Sequence, residues 1–293
     1  MKRQIISIAF ALFLICGNGT LFAQHKHEFS VHGGAGLSSL NYSPSVGERT
    51  SGFGGQFGFG YNYFFTPKWG IGTGAEVAFY NANLKINNFN TSSRAVDIEG
   101  VEFEFRSVVN DFEEKQRVTL LQIPLMLRYQ TEGRRQFYTA AGVKVGIPLS
   151  GKYDTSASLR NCGYYEFEVP APCYDTQEFM GFGNFPGQKA GGDPGFKTAI
   201  FASAEAGVKL KQSERLSLNI GAFLDYGLNN ILKEQTLASM SPVVEYNRAY
   251  PRSFALNGAI NSQHQGVGAP QAFIDKMRPI AVGVKVSLSF GKN

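Results

Sequence analysis

Eight stretches of this chain alternate apolar with small or polar side chains, residue by residue, for about a dozen positions each. A period of two puts successive side chains on opposite faces of an extended strand. The segments are 28–40, 53–65, 69–80, 118–129, 137–149, 198–210, 216–228 and 280–290. In the last, Ile280, Val282, Val284, Val286, Leu288 and Phe290 share one face, against Ala281, Gly283, Lys285, Ser287 and Ser289. Soluble strands average about 5 or 6 residues, whereas strands that cross a bilayer need about 9–11. The length of these segments is therefore the feature that most limits the fold.

The polar faces carry Gln56, Glu76, Gln122, Arg128, Lys144, Glu205, Lys209, Asp225 and Lys285 among many Gly and Ser. Charges of both signs on one face suit a paired, polar interior. The connections sort by length as well. Residues 66–68, 130–136 and 211–215 are short, while 41–50, 82–117, 150–197 and 229–278 are long, and the two kinds alternate strictly. A soluble sandwich could place the charges in water, but it has no reason to sort its loops. The expectation is an all-β fold, an eight-stranded antiparallel transmembrane β-barrel with short periplasmic turns and long extracellular loops, in a bacterial outer membrane. A closed ring leaves no strand edge unpaired in lipid. Tyr63, Phe65, Trp69, Tyr129, Phe137 and Phe290 lie at strand ends on the short-turn side or near the C-terminus, where they read as an aromatic girdle.

Composition agrees. Only 17% of residues are charged, with 34 Gly, 25 Phe and 13 Tyr, and mean hydropathy is −0.15. That is too apolar for disorder and lacks the runs of about 20 apolar residues of a helical membrane protein. The longest such run, Ile5 to Cys16 after Met1-Lys2-Arg3, reads as part of a signal peptide over 1–23. Residues 24–293 are then one barrel domain. A membrane anchor and a lipoprotein at Cys16 are the weaker alternatives, since the run is short and Ile15 is not small. Loss of Lys2 and Arg3 takes the net charge from +5 to +3, which points to no nucleic-acid partner. Cys162 and Cys173 then remain, most simply as one disulfide in an exported chain.

Residues Leu121-Gln122-Ile123-Pro124-Leu125-Met126-Leu127-Arg128-Tyr129 resemble the L-E-I-P-L-L-L-K-Y strand of the Bacteroidetes-type, PorT-like outer-membrane β-barrel family. Tyr138-Thr139-Ala140-Ala141-Gly142 and Asp225-Tyr226-Gly227-Leu228-Asn229-Asn230-Ile231 are similar to two further phrases of that family. Gln122 departs from it where an acidic residue is usual, and Gly291-Lys292-Asn293 follow Phe290 at the terminal strand. The resemblance implies the barrel and its location. For one branch it implies a link to type IX protein secretion.

Residue chemistry gives little else. Gly52 to Gly60 lacks the following helix and Lys of a phosphate loop, so its glycines read as lumen-facing spacers. His25-Lys26-His27 reads as a disordered leader rather than a metal site, and no cofactor is expected. An enzyme would draw on His32 or His264 with a loop Ser or Asp, at no fixed spacing. Glu76, Glu205 and Asp225 offer an acid–base pair, but Arg128, Lys144, Lys209 and Lys285 on the same faces favour a lumen charge network. Side chains fill an eight-stranded barrel, so no open pore is expected. Residues 150–197 hold Tyr153, Tyr164, Tyr165, Phe167, Tyr174, Phe179, Phe182 and Phe185. These aromatics either contact a surface protein or glycan or pack on one another as a cap. The acidic residues of 99–117 suit strands continued beyond the membrane. The expected function is a non-catalytic surface or envelope role, with outer-membrane lipid around the barrel. The alternatives are a secretion accessory, a lipid-modifying enzyme and a soluble lipocalin-like carrier.

Overall fold

The computed structural model describes residues 26–166, 172–213, 215–234, 236–249, 253–265 and 270–291. The expected leader, His25 and Phe167 lie outside the described residues. Eight long strands form the frame: β1 (Lys26–Asn41), β2 (Phe53–Phe64), β3 (Trp69–Val96), β4 (Glu102–Gln130), β5 (Arg135–Tyr164), β6 (Ala199–Lys211), β7 (Leu216–Gly227) and β8 (Arg278–Gly291). Each pairs antiparallel with the next, and β8 returns to β1 from Glu28↔Gly291 to Asn41↔Arg278, so the ring closes. The expected eight-stranded barrel is the observed fold, and a sandwich or open sheet is excluded.

The short turns are set locally. Thr66 Oγ1 accepts the backbone N–H of Trp69 at 2.8 Å and of Lys68 at 3.3 Å, which folds the β2–β3 turn around Pro67. Gly133 adopts φ 113° in the β4–β5 turn, a conformation open to glycine at little cost.

At the other end the strands continue far past the barrel wall. β3, β4 and β5 are 28, 29 and 30 residues long, about three times the length needed to cross a bilayer. Much of 82–117 and 150–197, expected as loop, is therefore strand. The reason is an inversion of sense. On β3 the outward residues run Trp69, Ile71, Val77 and Phe79, then change to Asn81, Asn83 and Lys85. The inward residues run Gly70, Gly72, Gly74 and Glu76, then change to Tyr80, Ala82, Leu84 and Ile86. Alternation never stops, but the greasy face swaps sides once water replaces lipid outside.

The protruding strands make a sheet flanked by Glu48–Ser51 on β3 and Gly183–Gly192 on β5. The described residues between 229 and 277 pack against it with two small sheets of their own. The result is a dome with an aromatic core: Phe103, Phe105, Phe112, Phe182, Phe185, Ile260 and Phe273 are all buried. Phe103 stacks on Tyr165 with centroids 5.2 Å apart and meets Phe182 edge-on at 5.6 Å. Burial of each such side chain contributes about 1.5–3 kcal/mol.

Candidate functional site

Inside the barrel wall the polar faces converge on one network. Lys144 on β5 donates from Nζ to Glu76 Oε1 on β3 at 2.5 Å and to Asp225 Oδ2 on β7 at 2.9 Å. His32 Nε2 lies 2.9 Å from Glu76 Oε2, and Lys285 Nζ is 3.5 Å from the same oxygen. Lys285 also donates to Glu205 Oε1 at 2.5 Å. Nearer the short-turn end, Lys209 donates to Glu28, and Asn62 adds a 3.4 Å hydrogen bond to the same carboxylate. Arg128 lies over the Tyr138 ring at 4.4 Å. Four cations (Arg128, Lys144, Lys209, Lys285) thus match four carboxylates (Glu28, Glu76, Glu205, Asp225) in charge.

The strands explain why these groups meet. Each is an inward residue of its strand, and opposite walls of an eight-stranded barrel lie within one side chain's reach. Gly58 makes room beside Glu76, its cross-strand partner. A Cβ there would sit 2.3 Å from the Ala75 carbonyl oxygen and 2.6 Å from Glu76 Cβ. The glycines of 52–60 therefore lie in or beside β2 and are not part of a phosphate loop.

A cavity of about 50 Å³ remains beside the network, lined by Ser30, His32, Arg128, Tyr138, Glu205 and Lys285 among others. That volume suits a few waters and no organic substrate. Above it the lumen closes: Tyr80 stacks on Phe201 at 5.9 Å, and Leu120 and Phe223 are buried with them. Gln122 donates to Tyr80 Oη at 2.8 Å, which ties the Tyr80 ring of this lid to β4.

The dome is pinned at three places. Cys162 and Cys173 are disulfide-bonded, with Cα atoms 5.5 Å apart. Glu114 accepts Gln116 Nε2 at 2.7 Å, Thr155 Oγ1 at 2.9 Å and the backbone N–H groups of Ala259 and Ile260, tying the 229–277 segment to β4. At the apex Asp97 Oδ1 accepts the N–H groups of Glu99 and Val101, both at 2.9 Å, and Oδ2 accepts Tyr165 Oη at 2.9 Å. Burial opposes ionisation of Asp97, but these donors outweigh it and hold its carboxyl below the usual range.

The aromatics of 150–197 divide as the cap reading requires. Tyr165, Phe182 and Phe185 are buried and Tyr153 and Tyr174 pack on the core, whereas Phe179 is 72% exposed. His27 corrects an expectation, since it belongs to β1 rather than to a disordered leader and its Nδ1 is 2.7 Å from Tyr61 Oη.

His264 does meet a serine, with Nε2 2.8 Å from Ser45 Oγ. That hydroxyl is also within hydrogen-bonding distance of the Ala272 and Phe273 carbonyls, at 3.0 and 3.4 Å, and Phe273 packs on the imidazole. His32 faces Glu76 inside the lumen, 6% exposed at its side chain. Among the described residues no group of three or more His, Cys, Asp or Glu is placed to hold a metal ion.

A family model described as an outer membrane protein beta-barrel domain matches residues 22–233. The chain belongs to that family. As a member it lies in the bacterial outer membrane, with its tight turns in the periplasm and its dome outside the cell. Two solved structures of Ail, the attachment invasion locus protein of Yersinia pestis, are similar at 9% and 10% identity, with TM-scores of 0.30 and 0.31. Each similarity covers 92% of this chain and 100% of Ail, and one of the two was solved with the heparin analogue sucrose octasulfate. No curated protein matches the chain.

In this outer-membrane barrel, Phe65, Trp69, Phe137 and Phe290 are exposed at the periplasmic end. Tyr63 and Tyr129 are half-buried there, and Trp69 meets Tyr129 with ring centroids 5.0 Å apart. Sequence reasoning missed Glu28 and His32 as lumen groups, although both fall on the inward side of β1. It also missed Asp97 and Glu114. The only sequence signal for Asp97 was an acidic residue just before Gly100 in a turn-like stretch.

Proposed function

We propose that this protein is a non-catalytic outer-membrane barrel that presents a preformed extracellular dome to surface proteins or glycans. The observation that carries the reading is the division between its two ends. The lumen is filled by a charge-balanced network under an aromatic lid, while β3 and β4 spend more than half their length, and β5 about half, outside the membrane around a core of their own. Beside the disulfide the dome's outer wall forms a shelf of about 530 Å³ lined by Asn90, Glu104, Arg106, Arg160 and Asp175, among others. The Arg106 guanidinium lies 3.7 Å over the Tyr164 ring. A shallow surface of amides, guanidinium groups and a ring suits hydroxyl-rich or polar peptide partners.

The test is binding of the full-length protein in nanodiscs to arrays of glycans and extracellular proteins, beside an Arg106→Ala/Arg160→Ala variant. Retention of a ligand by the parent and its loss in the folded variant supports the reading. Equal profiles, or no retention by either, refute it at this shelf.

The remaining roles belong to the same proposal. Residues 1–23 act as the leader and 24–293 as one barrel domain. Glu76, Arg128, Lys144, Glu205, Lys209, Asp225 and Lys285 brace the lumen. Tyr63, Phe65, Trp69, Tyr129, Phe137 and Phe290 form the periplasmic girdle, and the Cys162–Cys173 bond stiffens the dome. The PorT-like phrase at Leu121–Tyr129 favours a second reading, an accessory of type IX-like secretion. Exported cargo held in the periplasm of a deletion strain supports that branch, and an unchanged secretome removes it.

A further inference from the structure

Where β4 and β5 leave the membrane on the extracellular side, two cations stand directly opposite each other across the strands. The register pairs Arg117 directly with Lys152, and both side chains are exposed on the outer wall. Directly opposed like charges destabilise a sheet. Lys115, one rung further out, is exposed on the same face. Arg117 Nη2 is 3.3 Å from Asp154, and among the described residues neither Lys115 nor Lys152 forms an ion pair. Asp154 lies directly opposite Lys115, and Glu113, one rung further out, pairs with Lys85 at 3.7 Å, so the four cations Lys85, Lys115, Arg117 and Lys152 face two carboxylates and the patch stays net positive.

Their height is set by the apolar band. The outward residues below them are Thr119, Leu121, Ile123, Ile147 and Leu149, with Phe79 beside Thr119 on β3. From Trp69 to Phe79 the strand advances about 33 Å, or about 25 Å along the membrane normal at a barrel tilt near 40°. The Arg117–Lys152 rung is the first one above that band, flanked by Asn81 on β3. It lies at the depth of lipid headgroups, with greasy strand surface below for acyl chains.

We infer that Arg117, Lys152 and Lys115 form a clamp for the phosphate of an outer-leaflet lipid. The bound phosphate relieves the repulsion between Arg117 and Lys152, with the planar Arg117 fork offering paired donors and the two ammonium groups adding point charges. Acyl chains lie along Leu121, Ile147 and Leu149. This inference rests on the membrane location alone and stands apart from recognition by the dome.

The experiment uses the full-length protein purified in mild detergent and exposed to equimolar dioleoyl phosphatidic acid and dioleoyl phosphatidylcholine. Native mass spectrometry then reads the retained lipid. The parent is expected to retain phosphatidic acid in preference. Arg117→Gln/Lys152→Gln should lose that preference by about tenfold, while Arg134→Gln/Arg135→Gln at the periplasmic start of β5 keeps it. Heat-modifiable migration on gels confirms that each variant is folded, and exposed substitutions of this kind leave the fold intact. Retention unaffected by Arg117→Gln/Lys152→Gln overturns the assignment, as does equal retention of phosphatidylcholine. Inorganic phosphate is the competing probe. If it displaces the lipid fully at millimolar concentration, the site is a plain anion site and the lipid assignment fails.

Discussion

Replacing Lys144 by Met tests whether the lumen network holds the barrel together. The ammonium is 1% exposed and bridges Glu76 and Asp225 at 2.5 and 2.9 Å. At an effective dielectric near 20, each contact has a gross attraction of about 6 kcal/mol. Most of that offsets the desolvation of the three charges, so the loss on removing the shared cation is about 3–5 kcal/mol. The two carboxylates do not suffer equally. Glu76 keeps His32 at 2.9 Å and Lys285 at 3.5 Å, whereas Lys144 is the only ion-pair partner of Asp225 among the described residues. Most of the penalty is thus the stranded charge on Asp225, and Lys144→Met/Asp225→Asn should recover about 2 kcal/mol of it. Trp69 is the single tryptophan of the chain and reports unfolding from the periplasmic rim in lipid vesicles. With a urea slope of about 2 kcal/mol per molar, the Lys144→Met midpoint should fall by about 2 M. A loss below about 1 kcal/mol, or a double variant no more stable than the single, would refute the reasoning. If Lys144→Met does not insert at all, insertion of the double variant decides the question.

Three further outcomes follow from the dome and the barrel wall. Asp97 has a lowered folded pKa, so its contribution is present above the unfolded value, about 3.9, and is lost as pH falls through the folded value. Protection of the amides of 97–101, taken relative to their intrinsic exchange rate at each pH, should therefore fall below about pH 4, and Asp97→Ala should show the lower protection already at pH 7 at a cost of about 1–2 kcal/mol. Cys162→Ser/Cys173→Ser should forfeit at most about 3 kcal/mol. It should speed proteolysis of the dome while leaving the heat-modifiable migration of the barrel unchanged, and identical proteolysis would count against the disulfide as a brace. Gly58→Val should weaken the barrel by about 1–3 kcal/mol through overpacking against Glu76 and the Ala75 carbonyl, measured by the same Trp69 unfolding curve.

The barrel was legible because a membrane imposes a simple code. Lipid outside and a narrow lumen inside force apolar and polar-or-small residues onto opposite faces, and the segments at 53–65, 69–80 and 137–149 carry that code without interruption. The dome was not legible because the same strands reverse the code above the membrane. Leu84 and Ile86 point inward where Gly72 and Glu76 did below, and Asn83 and Lys85 point outward where Val77 and Phe79 did. A scan for a greasy outer face stops at residue 80 although the strand runs on to 96.

Seven of the eight lumen charges were legible as a set, Glu28 being the exception, but not as pairs. Period two alone places Lys144, Glu76 and Asp225 on inward faces, and no local pattern links residues separated by 68 and 81 positions. Their contacts depend on ring closure, on the stagger of β3, β5 and β7, and on the absence of a side chain at Gly58. The sequence by itself therefore determined the strand number, the membrane band and the inward side of all the lumen charges but Glu28, because those depend on each residue's own position along its strand. Only the tertiary structure decided which charges pair, that the outer loops close into a dome, and that Arg117 meets Lys152, because those depend on distances across strands that periodicity does not encode.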